Sequence, residues 1–139
     1  MLWRSGVWGL VRMQSVLAIL AISLGGILGA NARYFISLYI AERLGTAFPY
    51  GTFVINVSGS LVIGFFLTLI TERFAVDPLW RLFFATGFLG AYTTFSTYSY
   101  ESAQLLRDGA YGPALLYLFG SVLAGMLGVF AGIIAAEQL

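Results

Sequence analysis

Long apolar runs separated by short charged stretches form the pattern of this chain. Four runs contain no Asp, Glu, Lys or Arg, and they cover residues 13–32, 44–71, 82–100 and 109–136. Since a helix of about 20 apolar residues crosses a hydrocarbon core of about 30 Å, each run can span a bilayer. The pattern predicts a single all-α integral membrane domain over residues 1–139. Its transmembrane helices are expected at about residues 14–40, 51–71, 80–104 and 112–136.

The first twelve residues precede these runs and carry two tryptophans and two arginines. Aromatic and cationic anchors of this kind are typical of the membrane interface, so residues 1–12 are interpreted as an interfacial lead-in. Met13 offers a second start for the chain. A signal peptide is the weaker interpretation, because the apolar run that follows Arg12 is too long and lacks a clear cleavage pattern.

The third run differs from a lipid-facing helix because hydroxyl-bearing residues are concentrated in its middle. Thr93–Thr97 follow Gly87 and Gly90, so a flexible point precedes side chains that can bond freed backbone groups. We therefore expect the third helix to be broken near its middle. Irregular backbone at membrane depth is tolerated where it is buried in protein or lines a water-filled path, and interrupted helices often carry ion sites.

Polar residues in the second and fourth runs recur at helical spacing. Thr52, Asn56 and Ser60 share one face of the second helix, and Tyr117 and Ser121 share one face of the fourth. Asn56 has two interpretations, a hydrogen bond that joins helices or an NH₂ donor aimed into a pore, and alone it favours the first. Ser121 also has two interpretations, a functional polar group on this face or a serine that bonds the backbone of its own helix.

The end of the first run contains small residues and then a charge. Gly25 and Gly29 form a small-xxx-small face that allows another helix to approach closely, and packing is its simplest explanation. Arg33 follows, and two interpretations carry equal weight. Its side chain snorkels to the interface, or it supplies positive charge to a vestibule that collects anions.

Composition narrows the function classes. The chain is 60% hydrophobic and 9% charged, with a net charge of +1 and neither histidine nor cysteine. These values exclude an ordinary soluble domain, a basic surface for nucleic acid, and imidazole or thiolate catalysis, so no enzyme is expected.

The arginines do not fix one orientation in the membrane. Four of them lie on the N-terminal side of the predicted spans and three on the other side, or two against three if the chain starts at Met13. This bias is too weak to select one topology. It is compatible with insertion in both orientations and with an antiparallel dimer.

Three motifs occur in order along the chain: Gly25-Gly26-x-x-Gly29-Ala30-x-x-Arg33-Tyr34, Gly51-Thr52-x-x-x-Asn56-x-x-Gly59, and Gly87-x-x-Gly90-x-x-Thr93-Thr94-Phe95-Ser96-Thr97-Tyr98-Ser99. Together they resemble the Fluc (CrcB-type) fluoride channel family from about residue 15 to the end. The resemblance implies an antiparallel, dual-topology homodimer in the cell inner membrane. It also implies two pores, passive and selective export of fluoride, and a structural Na⁺ at the dimer centre.

The resemblance also implies roles for individual residues. The backbone carbonyls of Gly90 and Thr93 match the positions that hold Na⁺. Asn56, Phe95 and Tyr98 match the positions that contact fluoride. Ser121 matches a pore-lining serine, Thr94 matches the threonine beside the central glycine turn, and Arg33 belongs to the expected fluoride pathway.

Three positions depart from the family pattern. Tyr98 replaces the usual phenylalanine, and its added hydroxyl can donate to fluoride or point elsewhere. Gly125 replaces a second pore serine found in some members, which removes a donor. Ala91 replaces a frequent glycine, so the break must accommodate a Cβ atom.

Two other functions remain as alternatives. A small dual-topology proton-coupled exporter would need a titratable carboxylate at membrane depth, and the four charge-free runs contain none. Glu101 follows the third run and is interpreted as an interfacial or pore-mouth charge. A non-conducting assembly subunit would explain the glycine faces but not the polar run Thr93–Tyr98.

Overall fold

The computed structural model describes residues 3–72, 74 and 76–139, with side chains from Gln14 onward within these ranges. The described residues form helices joined by short links. In chain order these are α1 (Trp3–Leu44), α2 (Tyr50–Glu72), α3 (Pro78–Arg81), a π-helical segment (Leu82–Leu89), α4 (Gly90–Tyr92), α5 (Phe95–Arg107) and α6 (Tyr111–Glu137).

Three helices within the described part of the chain are long and apolar enough to cross a membrane. They are Gln14–Leu44 within α1, all of α2, and all of α6. The prediction of an all-helical membrane protein is therefore confirmed for these three elements. The remaining apolar run is not one helix but the interrupted series from α3 to α5.

The links between helices are closed by local backbone chemistry. Gly45 and Gly109 have φ values of 78° and 75°, which favour glycine, and they follow α1 and α5 closely. Asp77 caps the start of the interrupted series, because its Oδ1 accepts from the Leu79 N–H at 2.8 Å. Pro78 follows at the first helical position, where a missing N–H is harmless.

Glycines let α1 lie against the π-helical segment. A Cβ atom at Gly25 would collide with the Phe83 carbonyl oxygen, and one at Gly29 would collide with the Phe88 carbonyl oxygen. A Cβ atom at Gly87 of the π-helical segment would lie 2.7 Å from the Ile22 carbonyl oxygen. The prediction that Gly25 and Gly29 serve helix packing is confirmed.

A second glycine contact joins α2 to α6. Gly64 faces the backbone of Val129, while Gly132 faces the backbone at Leu61 and Phe65. These approaches bring two apolar helices within backbone contact, which is how membrane helices gain van der Waals attraction without a hydrophobic driving force. The pair forms a scaffold beside the interrupted series.

The exterior of the molecule is apolar, as expected for a chain in lipid. Leu116 and Phe119 on α6 are 66% and 71% exposed, whereas Tyr117 between them is fully buried. The core residues Ile55, Leu89 and Tyr92 lie where α2 meets the π-helical segment and α4. The side chains of the expected lead-in 1–12, and Arg73 from the charge count, lie outside the described residues.

Candidate functional site

The interrupted series is broken at Thr93 and Thr94. Thr93 has φ −80° and ψ 157°, and Thr94 has φ −151° and ψ 119°, so both residues are extended. The predicted break is confirmed, and it occupies only the first two residues of the polar run. Helix α5 begins again at Phe95. Thr94 caps its start, because Thr94 Oγ1 accepts from the Thr97 N–H at 3.2 Å.

Asn56 holds the break from α2. Its Oδ1 accepts from the Thr94 N–H at 2.8 Å, and its Nδ2 donates to the Thr94 carbonyl at 3.0 Å. The Asn56 amide therefore replaces the Gly90 carbonyl as the acceptor for the Thr94 N–H, and it adds a side-chain donor to the Thr94 carbonyl at the N-cap of α5. Since an amide nitrogen carries two hydrogens, one Asn56 N–H remains for a further acceptor.

Two backbone carbonyls lose their helical donors at the break. The Thr94 N–H would bond the Gly90 carbonyl in a continuous helix, but it donates to Asn56. The Thr97 N–H would bond the Thr93 carbonyl, but it donates to the Thr94 side chain. The break thus presents the carbonyl oxygens of Gly90 and Thr93 as acceptors next to the start of α5, whose first N–H groups carry partial positive charge.

A cavity of about 290 Å³ lies at the break. Polar and small residues line it on both sides, and they are Asn56, Gly59, Ser60, Gly90, Thr93 and Thr94. Phe95 also lines it and is 78% exposed in the single chain. The cavity therefore brings together five of the residues selected from the sequence: Asn56, Gly90, Thr93, Thr94 and Phe95.

Tyr98 and Ser121 lie at the neighbouring contact between α5 and α6. Tyr98 is 8% exposed, and its hydroxyl donates to the Leu118 carbonyl at 2.8 Å. The added hydroxyl therefore points to α6, and the ring edge is what remains for other contacts. The ring centroid of Tyr98 is 5.7 Å from that of Phe95, which links this contact to the break.

Ser121 has an unusual environment. It is 9% exposed, and among the described residues its Oγ has no hydrogen-bond partner. Bonding to its own helix, one of the two interpretations from the sequence, is not observed. A buried hydroxyl without a partner loses its hydration without compensation, so its position is costly unless a further group binds there.

Arg33 lies apart from this group. It is half-buried on α1, and it is not among the residues that line the cavity at the break. Neither of its two interpretations is decided by this position.

The sequence did not indicate a second polar cluster around Glu101. Its carboxylate accepts from Thr52 Oγ1 at 2.9 Å and from the Tyr117 hydroxyl at 2.7 Å, and it lines a cavity of about 400 Å³. The only trace of this cluster in the sequence was the four-residue spacing that places Thr52 on one face with Asn56 and Tyr117 on one face with Ser121. The carboxylate that connects the two faces could not be assigned from spacing alone.

Comparison with known proteins gives one consistent result. A model of the family described as "CrcB-like protein, Camphor Resistance (CrcB)" matches residues 20–133. A protein of Acidobacterium capsulatum named "Fluoride-specific ion channel FluC" is 48% identical over 118 residues, which cover 85% of this chain and 94% of the relative. Proteins of the same name from Chloroflexus aurantiacus and Koribacter versatilis are 52% and 51% identical. The match to the Chloroflexus protein covers 83% of this chain and 91% of that protein. The match to the Koribacter protein covers 85% of this chain and 90% of that protein.

Proposed function

Because the chain belongs to the CrcB family of fluoride-specific ion channels, we propose that it conducts fluoride selectively and passively out of the cell through the inner membrane. The observation that carries the proposal is the Asn56–Thr94 pair, which holds a helix break open at the cavity. The family consists of channels, so no catalytic residue is assigned. Fluoride enters cells as the neutral acid and is trapped as the anion, and a negative membrane potential then drives it outward without ATP.

The fluoride pathway is assigned to Asn56, Thr94, Phe95, Tyr98 and Ser121, with Arg33 supplying charge outside the break. The free N–H of Asn56 and the unpartnered hydroxyl of Ser121 support this assignment, since both can donate to an anion. The ring edges of Phe95 and Tyr98 carry partial positive charge and can face fluoride without trapping it.

Selectivity follows from the hydration of fluoride. This small anion holds water strongly, so a pore must replace the water with several donors at once, and each must be weak enough to release the ion. Amide, hydroxyl and ring C–H donors in series meet both conditions. The positive end of α5, which begins at the break, adds a fixed attraction for anions.

A structural Na⁺ is assigned to the backbone carbonyls of Gly90 and Thr93. These two groups fit a cation, because their helical donors are taken by Asn56 and by the Thr94 side chain. When bound, the ion would supply fixed positive charge near the conduction path. The chain itself contributes the extended backbone that keeps both carbonyls free of helical hydrogen bonds.

The working unit is proposed to be an antiparallel homodimer of dual topology, in which the series from α3 to α5 forms the third of four spans. The 78% exposure of Phe95 beside the cavity supports this assembly, since a second chain would cover that ring. The nearly balanced arginines support insertion in both orientations.

Ion flux from liposomes tests the proposed function. Purified protein is reconstituted into vesicles loaded with potassium fluoride or potassium chloride, and valinomycin is added to balance charge. Fluoride is expected to leave rapidly while chloride stays, with no dependence on a pH gradient. Fluoride that remains trapped would overturn the proposal. Release that requires a pH gradient would favour a proton-coupled exporter, in which Glu101 would be the carboxylate to examine.

Replacement of Ser121 by alanine is expected to separate conduction from stability. Loss of the hydroxyl removes a donor to fluoride worth about 1.5 to 3 kcal/mol, so the fluoride rate should fall by about 10-fold or more. Loss of an unpartnered buried group should leave the free energy of unfolding unchanged or raise it by about 1 kcal/mol. Vesicle flux and thermal unfolding in detergent measure the two quantities.

Ser102 provides the matched control for Ser121. It is also buried, at 3% exposure, but its Oγ donates to the Tyr98 carbonyl at 2.7 Å. Ser102→Ala is expected to leave the fluoride rate unchanged. A Ser121→Ala channel that conducts normally and unfolds more easily would show that this hydroxyl has only a structural role.

A further inference from the structure

Three aromatic rings form a stack along the first half of the interrupted series. The Phe84 and Phe88 ring centroids are 5.4 Å apart with planes at 7°, and those of Phe88 and Tyr92 are 5.8 Å apart with planes at 12°. Phe66 of α2 packs against Phe84 at 4.6 Å. The stack is thus tied to α2 at the end farther from the break, and Tyr92 is its last ring before the break.

The hydroxyl of Tyr92 ties the other end of the stack to α2. It lies 2.9 Å from Ser58 Oγ, and Ser58 Oγ donates its single hydrogen to the Ile55 carbonyl at 3.1 Å. Tyr92 is therefore the donor in the Tyr92–Ser58 hydrogen bond. Gly59 leaves room for the next residue of the break, since a Cβ atom there would collide with Thr93 Cγ2.

Thr93 lies between two anchors on α2. Its N–H and its Oγ1 both donate to the Leu89 carbonyl, at 3.0 and 2.9 Å, within its own half of the series. Tyr92 before it is bonded to Ser58, and Thr94 after it is bonded to Asn56. The direction of the Thr93 carbonyl is therefore set by the two flanking residues.

We propose that Tyr92 is a positioning residue of the fluoride pathway. Its hydrogen bond to Ser58 fixes the rotation of the last helical residue before the break, and so fixes the Thr93 carbonyl and the Thr94–Asn56 pair. This inference rests on the proposed function, because the geometry it protects is that of the conducting cavity. The ring stack holds this part of the series rigid, and the hydroxyl of Tyr92 fixes how the series is rotated relative to α2.

Three variants and one control test this role in the full-length channel. Tyr92→Phe keeps the ring and removes the donor, Ser58→Ala removes the acceptor, and the double variant removes both. Tyr100→Phe is the control, because Tyr100 is 66% exposed and its hydroxyl accepts from Gln104, one turn away at 3.2 Å. Each protein is labelled with ¹⁵N-threonine, and hydrogen exchange of the Thr94 amide is measured beside fluoride flux per folded channel.

Both single variants are expected to speed Thr94 amide exchange and to slow fluoride flux, each by about fivefold. The double variant should match the singles, because all three remove one and the same hydrogen bond. The Tyr100→Phe control should change neither quantity. A purely structural role would lower the unfolding temperature without altering exchange at Thr94 or flux per folded channel.

Two results would overturn the inference separately from the proposed function. Tyr92→Phe that exchanges and conducts like Tyr100→Phe would remove the positioning role while the channel remains. Effects that multiply in the double variant would show that Tyr92 and Ser58 act independently, which would also remove it. Wild-type vesicles that release no fluoride would overturn the proposed function itself, and the role of Tyr92 with it.

Discussion

Replacement of Asn56 by alanine is expected to abolish fluoride conduction, with a loss of about 100-fold or more. The change removes the free N–H proposed to donate to fluoride, and donors to charged groups are worth about 1.5 to 3 kcal/mol. It also leaves the Thr94 N–H without its acceptor. An orphaned N–H costs about 1 to 3 kcal/mol, so the free energy of unfolding should fall as well. Vesicle flux and thermal unfolding measure the two losses.

Two further variants separate the causes. Asn56→Asp keeps an acceptor for the Thr94 N–H but sets a negative oxygen against the Thr94 carbonyl and in the path, so it should not conduct either. Asn31, the other asparagine of the chain, donates to the Ile27 carbonyl one turn away at 2.7 Å. Asn31→Ala should therefore change conduction by less than about twofold. An Asn56→Ala channel with nearly normal flux would contradict the proposed pathway.

Replacement of Gly25 by alanine is expected to prevent stable folding or to lower the free energy of unfolding by about 3 kcal/mol or more. The added methyl group would collide with the Phe83 carbonyl oxygen and would lie 2.8 Å from the Phe88 nitrogen. Both obstacles are backbone atoms of the π-helical segment, so no side-chain rotation can relieve them. The yield of monodisperse protein and its unfolding temperature in detergent measure the effect.

Gly26 is the matched control for this prediction. A Cβ atom there would meet only the Gly87 carbonyl oxygen, at 4.0 Å. Since alanine is favoured over glycine within a helix by up to about 1 kcal/mol, Gly26→Ala should be neutral or slightly stabilising. Equal unfolding temperatures for the two variants would show that α1 and the π-helical segment are less closely packed than the structure has them.

The position of the break could be predicted from sequence because the residues that favour it are neighbours in the chain. Glycines followed by β-branched and hydroxyl side chains disfavour a continuous helix, and Thr94 is a good residue to cap the next one. The extent of the break was not predictable. Thr94 caps α5 through the Thr97 N–H, so the polar run is helical again from Phe95 onward.

The partners of the polar side chains could be predicted less well. Asn56 was open between a hydrogen bond that joins helices and a pore donor, and the structure shows the first, as two hydrogen bonds to the backbone of Thr94. The direction of the Tyr98 hydroxyl and the Tyr92–Ser58 bond depend on how helices meet. Spacing along one helix contains no information about the facing helix, so these contacts required the tertiary structure.

The dependence of the break on a distant amide has a consequence for membrane insertion. Asn56 precedes Thr94 by 38 residues, so α2 is synthesised before the polar run leaves the ribosome. In lipid without that partner, the cheapest way to satisfy the carbonyls of Gly90 and Thr93 is a straight helix through residues 78–107. The nascent segment should therefore enter the bilayer as an unbroken rod. We expect it to bend only when it docks against α2, so the break would form late in biogenesis.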